Sequence, residues 1–177
     1  MNAISKSDGG RGLPSYDISG LHILLLERQS LMQSLMKQVF RQFRVYKLKI
    51  TDSPEEAYQL FQQTPADIIL SDWTYDLDGL AFLNRVRTDD KSPNPFVPVV
   101  MVTANSEPNH VFDARDAGMT EFLTKPVSAQ SIYSRICAVI DSTRPYVRTN
   151  AFFGPDRRRR RGGFFDDPER RRSATPS

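Results

Sequence analysis

The sequence predicts an α/β fold built on a five-stranded parallel sheet that is covered by helices on both faces. Between residues 20 and 142, five short strand-like segments alternate with five helix-like segments. Most of the strand segments are short apolar runs, as is typical of strands buried on both faces. Strict alternation with helices indicates right-handed βαβ crossovers, and in such sheets the working site lies at the carboxyl ends of the strands.

The first strand and helix follow from the apolar pattern near the N-terminus. LHILLL, residues 21–26, is a continuous apolar run and predicts a buried strand. Residues 29–43 predict an amphipathic helix. Four apolar residues spaced four apart are predicted to form its buried face: Leu31, Leu35, Val39 and Phe43.

The second strand and helix are marked by alternation and by a capping signal. VYKLKI, residues 45–50, alternates as a strand does. Ser53 then stands at an N-cap position, Pro54 at the first helical position and Glu56 at the third, which predicts a helix that begins with a capping box.

The remaining elements repeat the same alternation. Strands are predicted at DIILS (67–71), FVPVVMVT (96–103) and TEFLT (120–124). Helices are predicted at GLAFLNRVR (79–87), at EPNHVFDARDAG ending at Gly118, and at SAQSIYSRICAVID with the apolar face Ile132, Ile136 and Ile140.

Composition limits the class of protein. A chain of 177 residues with 39% apolar side chains can form one ordinary domain plus tails. One cysteine and two histidines exclude a disulfide framework and a zinc site. Because no apolar run is long enough to span a bilayer, we expect a soluble, cytoplasmic protein.

Polar residues follow four of the five predicted strands, at the point where each strand ends. Glu27 and Arg28 follow the first, Asp72 ends the third, Thr103 ends the fourth and Lys125 follows the fifth. Each has an ordinary structural explanation on its own, such as capping a loop. Their order across successive strands predicts a shared site at this edge of the sheet.

These residues, in the motifs ILSDWTYDLDG, VMVTA and LTKP, resemble the receiver domain of response regulators in two-component signalling. The resemblance covers residues 20–142. It implies the CheY-like, flavodoxin-like fold with strand order 2-1-3-4-5 and a role in bacterial phosphorelay signalling.

The resemblance also implies roles for individual residues. Asp72 corresponds to the phosphoacceptor, Thr103 to the hydroxyl residue that binds the phosphoryl group and Lys125 to the lysine beside it. Phe122 corresponds to the switch aromatic, and Gly79 to the glycine after the phosphorylation loop. A cis peptide bond is implied at the lysine-proline step.

A magnesium ion is the cofactor that the resemblance implies, and one of its ligands is replaced. Glu27, Asp72 and the Thr74 carbonyl correspond to ligand positions, but Arg28 stands where a second acid is expected. Arg28 can turn into solvent and leave a weakened site, can reach Asp72 in place of the metal, or can mimic the activated charge state permanently.

The tail differs from the rest of the chain. Residues 1–140 carry 14 basic and 16 acidic side chains, whereas residues 141–177 carry 10 arginines and 5 acids. Two similar blocks, AFFGPDRRRR (151–160) and GFFDDPERRR (163–172), each combine a Phe pair, a Pro, at least one acid and an Arg run. We expect residues 1–19 to be flexible and residues 143–177 to be disordered.

Four functions fit this tail: binding nucleic acid, binding an anionic membrane, binding an acidic protein partner, or simply keeping the chain solvated. For the domain, the leading hypothesis is a single-domain response regulator, phosphorylated on Asp72 by a histidine kinase or phosphotransfer protein. It would signal through contacts with another protein and would not be an enzyme. The alternative is a pseudo-receiver, a binding module that works without phosphorylation.

Overall fold

The structure is a computed structural model that describes residues 6–7, 15–74, 77–104, 108–142, 145–149 and 152–156. Its centre is a parallel sheet of five strands: β1 (His22–Leu26), β2 (Lys47–Thr51), β3 (Ile68–Asp72), β4 (Val99–Thr103) and β5 (Glu121–Thr124). Five helices alternate with them: α1 (Ser30–Gln42), α2 (Pro54–Gln63), α3 (Gly79–Thr88), α4 (Pro108–Asp116) and α5 (Ala129–Asp141). The order in the sheet is β2-β1-β3-β4-β5, so the predicted fold and strand order are confirmed.

Two hydrophobic cores lie on opposite faces of the sheet. Ile23 and Leu25 of β1 pack into the core that includes α1 and α5, while Leu24 and Leu26 pack into the core that includes α2 and α3. This alternation follows from the two-residue period of a strand. β3 and β4 are buried along their whole length, and β4 starts at Val99 rather than at residue 96 because Pro98 has no N–H to donate.

The predicted buried face of α1 is wrong in its first half. Leu31 is 83% exposed and Leu35 is 38% exposed. The face turned to the core consists of Met36, Val39 and Phe40. A step of four residues overshoots one helical turn by roughly 40°, so a strict four-residue repeat drifts around the helix, whereas steps averaging 3.6 residues keep one face inward.

The capping box predicted for α2 is only half formed. Ser53 caps the helix by accepting the Glu56 N–H at 3.4 Å. The Glu56 carboxylate accepts a hydrogen bond from the Thr51 hydroxyl instead of the Ser53 N–H. That N–H donates to the Thr51 hydroxyl oxygen at 3.1 Å, so Thr51 relays the interaction between cap and carboxylate.

Order begins before residue 20 and extends beyond residue 142, contrary to the predicted boundaries. Ser15–Tyr16 pairs antiparallel with Lys6–Ser7, and the Tyr16 N–H donates to the Tyr133 hydroxyl at 2.8 Å. At the other end, Tyr146–Thr149 pairs antiparallel with Phe152–Pro155, which we call the C-terminal ribbon. Predicted disorder is therefore wrong for the ribbon, while both Arg runs lie outside the described residues.

Two further expectations concern helix ends and membranes. Gly118 adopts a left-handed φ of 92°, and its N–H donates to the Arg115 carbonyl at 3.0 Å, so it closes α4, whose last helical residue is Asp116 rather than the predicted Gly118. Within the described ranges, none of the helices combines the length and the hydropathy needed to cross a bilayer.

Candidate functional site

The carboxyl ends of β1 and β3 and the residue after β5 bring three charged side chains together. The Lys125 ammonium lies 2.8 Å from Glu27 Oε2 and 3.0 Å from Asp72 Oδ1. The two carboxylate side chains are each 1% exposed and the lysine side chain is 9% exposed. One cation thus bridges two buried anions at the predicted edge of the sheet.

Glu27 is held by hydrogen bonds to its backbone and to its carboxylate. The Glu27 N–H donates to the Thr51 carbonyl at 3.0 Å, which extends the pairing of β1 with β2 by one bond. Glu27 Oε1 accepts the Gln29 N–H at 2.9 Å, and the Glu27 carbonyl accepts from Gln33 Nε2 at 2.7 Å. Glu27 is therefore a fixed part of the site rather than a mobile surface acid.

Asp72 is the last residue of β3, and one of its oxygens has no protein donor. Within the described residues, Asp72 Oδ2 is fully buried and accepts no hydrogen bond. The pKa of Asp72 is raised to about 6, because burial and the Glu27 charge raise it more than Lys125 lowers it. At neutral pH the side chain is mostly a carboxylate with one oxygen left for a ligand.

The loop after Asp72 is packed so closely that α3 must begin with a glycine. A Cβ on Gly79 would lie 2.2 Å from the Asp72 carbonyl oxygen. Asp78 caps the helix by accepting the Ala81 N–H at 2.8 Å. The start of α3 therefore rests directly on the backbone of the candidate phosphoacceptor.

Thr103 lies beside Asp72, on the neighbouring strand. The Thr103 hydroxyl donates to the Trp73 carbonyl at 2.9 Å. The Thr103 carbonyl accepts the Lys125 N–H at 2.8 Å, and the Lys125-Pro126 peptide bond is cis, as the resemblance implies. The end of β4 thus positions the residue whose ammonium binds Asp72.

Phe122 lies in β5 opposite Met101 of β4, and it is half-buried against the core on the α2 and α3 side of the sheet. Thr74 forms a bridge with Leu77 across the loop, in which the Thr74 carbonyl accepts the Leu77 N–H at 3.1 Å.

Arg28 is exposed, and the cation found at 3.0 Å from Asp72 is the Lys125 ammonium.

The donor set suits a magnesium ion that is held largely by water. Mg²⁺ commonly binds one or two carboxylates and keeps several waters, and Glu27 and Asp72 supply two carboxylates beside each other. The buried Asp72 carboxylate, whose Oδ2 accepts no hydrogen bond within the described residues, has acceptor capacity left for a cation. Within the described ranges, no group of three or more His, Cys, Asp or Glu side chains is placed to hold a metal.

Comparison with known proteins identifies the family. Residues 23–137 match the family model of the response regulator receiver domain. This chain belongs to that family. The receiver domain is 26% identical over 117 residues to the chemotaxis protein CheY of Pseudomonas aeruginosa, covering 66% of this chain and 93% of the relative.

Solved receiver structures share the fold. Chemotaxis protein CheY4 of Vibrio cholerae matches with a TM-score of 0.59 at 20% identity, covering 66% of this chain and 96% of that one. The receiver domain of the sensor histidine kinase PA1611 from Pseudomonas aeruginosa matches with a TM-score of 0.61 at 24% identity, covering 70% and 99%. That structure has a magnesium ion coordinated in its active-site cleft.

One buried charge, that of Arg87, was not predicted, although the sequence carries a signal for it. Arg87 is 1% exposed and lies in the last turn of α3. It follows the buried Leu83 by four residues, so the helical period already placed it on the apolar face. Because arginine is rarely fully buried without a partner, the position predicts an unusual contact.

Proposed function

We propose that this chain is a response regulator whose receiver domain accepts a phosphoryl group on Asp72. The observation that supports this is the buried Asp72 Oδ2, which accepts no hydrogen bond from the described residues and belongs to a carboxylate already bound by Lys125. A nucleophile needs an unshared oxygen, and the lysine supplies positive charge where the transferred oxygens would gather.

In the proposed reaction, Asp72 Oδ2 attacks the phosphorus of a phosphohistidine on a histidine kinase or phosphotransfer protein. A P–O bond forms, the P–N bond breaks, and the imidazole leaves with its electron pair. Lys125 exchanges its contact with Asp72 for a phosphoryl oxygen. A magnesium ion held by Glu27, Asp72 and the Thr74 carbonyl would supply further positive charge.

The proposed output is a change of surface. The Thr103 hydroxyl would turn from the Trp73 carbonyl to the phosphoryl group, which frees space behind it for Phe122. A half-buried aromatic at this place can alter what a protein partner meets. We propose that the protein acts in the bacterial cytoplasm through such contacts and has no catalytic turnover on a separate substrate.

Intact mass tests the proposal. The full chain is incubated with a small phosphodonor and Mg²⁺ beside an Asp72→Asn variant. The expected result is a gain of one phosphoryl group in the wild type alone. Equal masses for donor-treated and untreated protein, with both chains folded, would reject the assignment.

A second candidate, a receiver that works without phosphate, is favoured by one observation. Arg28 stands where the family has a second acid, so the two carboxylates Glu27 and Asp72 are left to share the Lys125 charge. Such a site would bind magnesium weakly and transfer phosphate slowly. The protein would then be a binding module held in one state.

Arg28→Asp discriminates the two candidates. Trp73 is the single tryptophan and directly follows Asp72, so its fluorescence reports magnesium binding. A large gain in magnesium affinity together with newly acquired phosphorylation would support the second candidate. An unchanged affinity, with phosphorylation already present in the wild type, would exclude it; Arg41→Asp, an exposed charge reversal on α1, is the matched control.

A further inference from the structure

The C-terminal ribbon, which lies beyond the family match, is seated on the receiver domain at the end of α3 and the turn after α4. Phe153 packs on Phe96 with ring centroids 5.1 Å apart, and Tyr146 packs on the same ring at 5.3 Å. A Cβ on Gly118 would lie 2.4 Å from the Phe153 carbonyl oxygen, so the ribbon strand touches this turn directly. We call this surface of Arg87, Phe96 and Gly118 the ribbon seat.

Arg87 lies beneath the ribbon, and no acidic side chain of the described residues forms an ion pair with it. Its Nε donates to the Gly118 carbonyl at 3.0 Å and its Nη1 to the Pro95 carbonyl at 2.9 Å. Its Nη2 is buried and has no acceptor among the described residues. Burial lowers the pKa of Arg87 to about 10, which shows how far the charge is removed from water.

A second unsatisfied group lies beside the guanidinium. The Tyr146 ring is 5.6 Å from Arg87 Cζ, and the Tyr146 hydroxyl is buried with no partner within the described ranges. A guanidinium N–H can only donate, and a phenol O–H donates readily. Buried polar groups are normally satisfied, so two neighbouring donors point to a missing acceptor, and a carboxylate would also neutralise the arginine.

The tail contains a segment that combines the seated aromatic pair with acids. Phe152–Pro155 is the seated strand, and it reads FFGP. Residues 164–167 read FFDD, so aligning the Phe pairs puts Asp166 in place of Gly154 and Asp167 in place of Pro155. Pro155 pairs with Tyr146 in the ribbon, so a side chain at the position of Pro155 lies on the same face as the Tyr146 ring. The centroid of that ring is 5.6 Å from Arg87 Cζ, which brings a side chain at this position close to the guanidinium.

We propose that the ribbon seat also binds residues 164–167, which exchange with Phe152–Pro155 and bring an aspartate carboxylate to Arg87. The first block is the main occupant because its loop to Tyr146–Thr149 is short and because the Asp156 N–H donates to the Pro145 carbonyl at 2.8 Å. Pro168 aligns with Asp156 and cannot make that bond. Exchange would loop out residues 157–161, which are five arginines.

Amide hydrogen exchange of the full chain tests whether the second block can replace the first on the ribbon seat. The exchange rate of the amides of residues 146–149, the reporter strand, is measured. Phe165→Ala alone is expected to leave the hydrogen-exchange rate of the reporter strand unchanged, because the first block occupies the ribbon seat. Phe153→Ala is expected to raise the exchange rate moderately, since the second block then takes over. The double variant should exchange roughly tenfold faster than Phe153→Ala alone, the effect of losing one further aromatic contact.

The acid is tested in the Phe153→Ala background. Asp166→Asn with Asp167→Asn should raise the exchange rate of the reporter strand to that of the double Phe variant, whereas Glu169→Gln, the matched control, should not. If Phe153→Ala and the double Phe variant exchange alike, the second block does not bind and the proposal is wrong. If the double Phe variant exchanges faster but the Asn substitutions leave the exchange rate of Phe153→Ala unchanged, no carboxylate reaches Arg87. That part of the proposal is then overturned.

Discussion

The Lys125 ammonium, between the buried carboxylates of Glu27 and Asp72, dominates the chemistry at the residue scale. A single positive charge cannot satisfy two carboxylates that have lost their water. Burial and the Glu27 charge therefore win over Lys125, and the pKa of Asp72 rises to about 6. The remaining repulsion between the Glu27 and Asp72 carboxylates favours binding of any ligand that adds positive charge to the site.

The raised pKa predicts the effect of Asp72→Asn on stability. The pKa rises from 3.8 to about 6 on folding, so the folded state holds the extra proton between these values and stability falls as pH rises through that window. Without added metal, Asp72→Asn should stabilise the protein at pH 7.5 by on the order of 2 kcal/mol, and the gain should vanish near pH 4. Thermal melting at both pH values measures it.

The control for this prediction is Asp90→Asn, which removes an exposed carboxylate and should leave the melting temperature nearly unchanged. A lower melting temperature for Asp72→Asn at pH 7.5 would mean that the Lys125 interaction outweighs burial and repulsion.

At the scale of elements, the site depends on how helix starts meet strand ends. α3 begins against the Asp72 carbonyl, and Glu27 is held by Gln29, just before α1.

Helix α1 shows the limit of prediction from sequence patterns. Leu31 and Leu35 were predicted to lie on the inner face of α1, but Met36, Val39 and Phe40 are the buried residues, because packing decides between two possible apolar stripes.

Gly79→Ala tests the contact between α3 and β3. The new Cβ would approach the Asp72 carbonyl oxygen to 2.2 Å, so either the helix start or the loop must shift. We expect a loss of about 1–3 kcal/mol of unfolding free energy and a lower phosphorylation rate, measured by urea denaturation and intact mass.

Gly20→Ala is the matched control, since a Cβ there meets nothing within 4 Å. Equal stability of the two alanine variants would show that the backbone at Gly79 relaxes freely and that the close approach does not constrain the site.

At the scale of the whole molecule, the sequence predicts the domain well and its ends poorly. Alternating apolar segments and strand-end polar residues predict the sheet, its order and the meeting of Glu27, Asp72 and Lys125, because one carboxyl edge gathers them. The ribbon could not be predicted from the sequence because Tyr146–Thr149 and Phe152–Pro155 have no apolar period of their own. They are ordered by aromatic contacts with Phe96, which is distant in sequence.

Truncation tests where the folded unit ends. A chain that stops after Asp156 should keep the melting temperature of the full chain. One that stops after Ser142 loses the contacts of Tyr146 and Phe153 with Phe96, so it should lose on the order of 2 kcal/mol of unfolding free energy. Equal melting temperatures for the two truncated chains would mean that the ribbon adds nothing to the stability of the receiver domain.

Phosphorylation of Asp72 is tested most directly by locating the phosphoryl group. Donor-treated protein is reduced with borohydride, which converts an acyl phosphate of aspartate to homoserine, and is then mapped by peptide mass spectrometry. We expect conversion at Asp72 alone, lost in Asp72→Asn and retained in Asp78→Asn, which alters an exposed acid of the same loop. Conversion at another acid, or no conversion in a folded chain with magnesium present, would contradict this expectation.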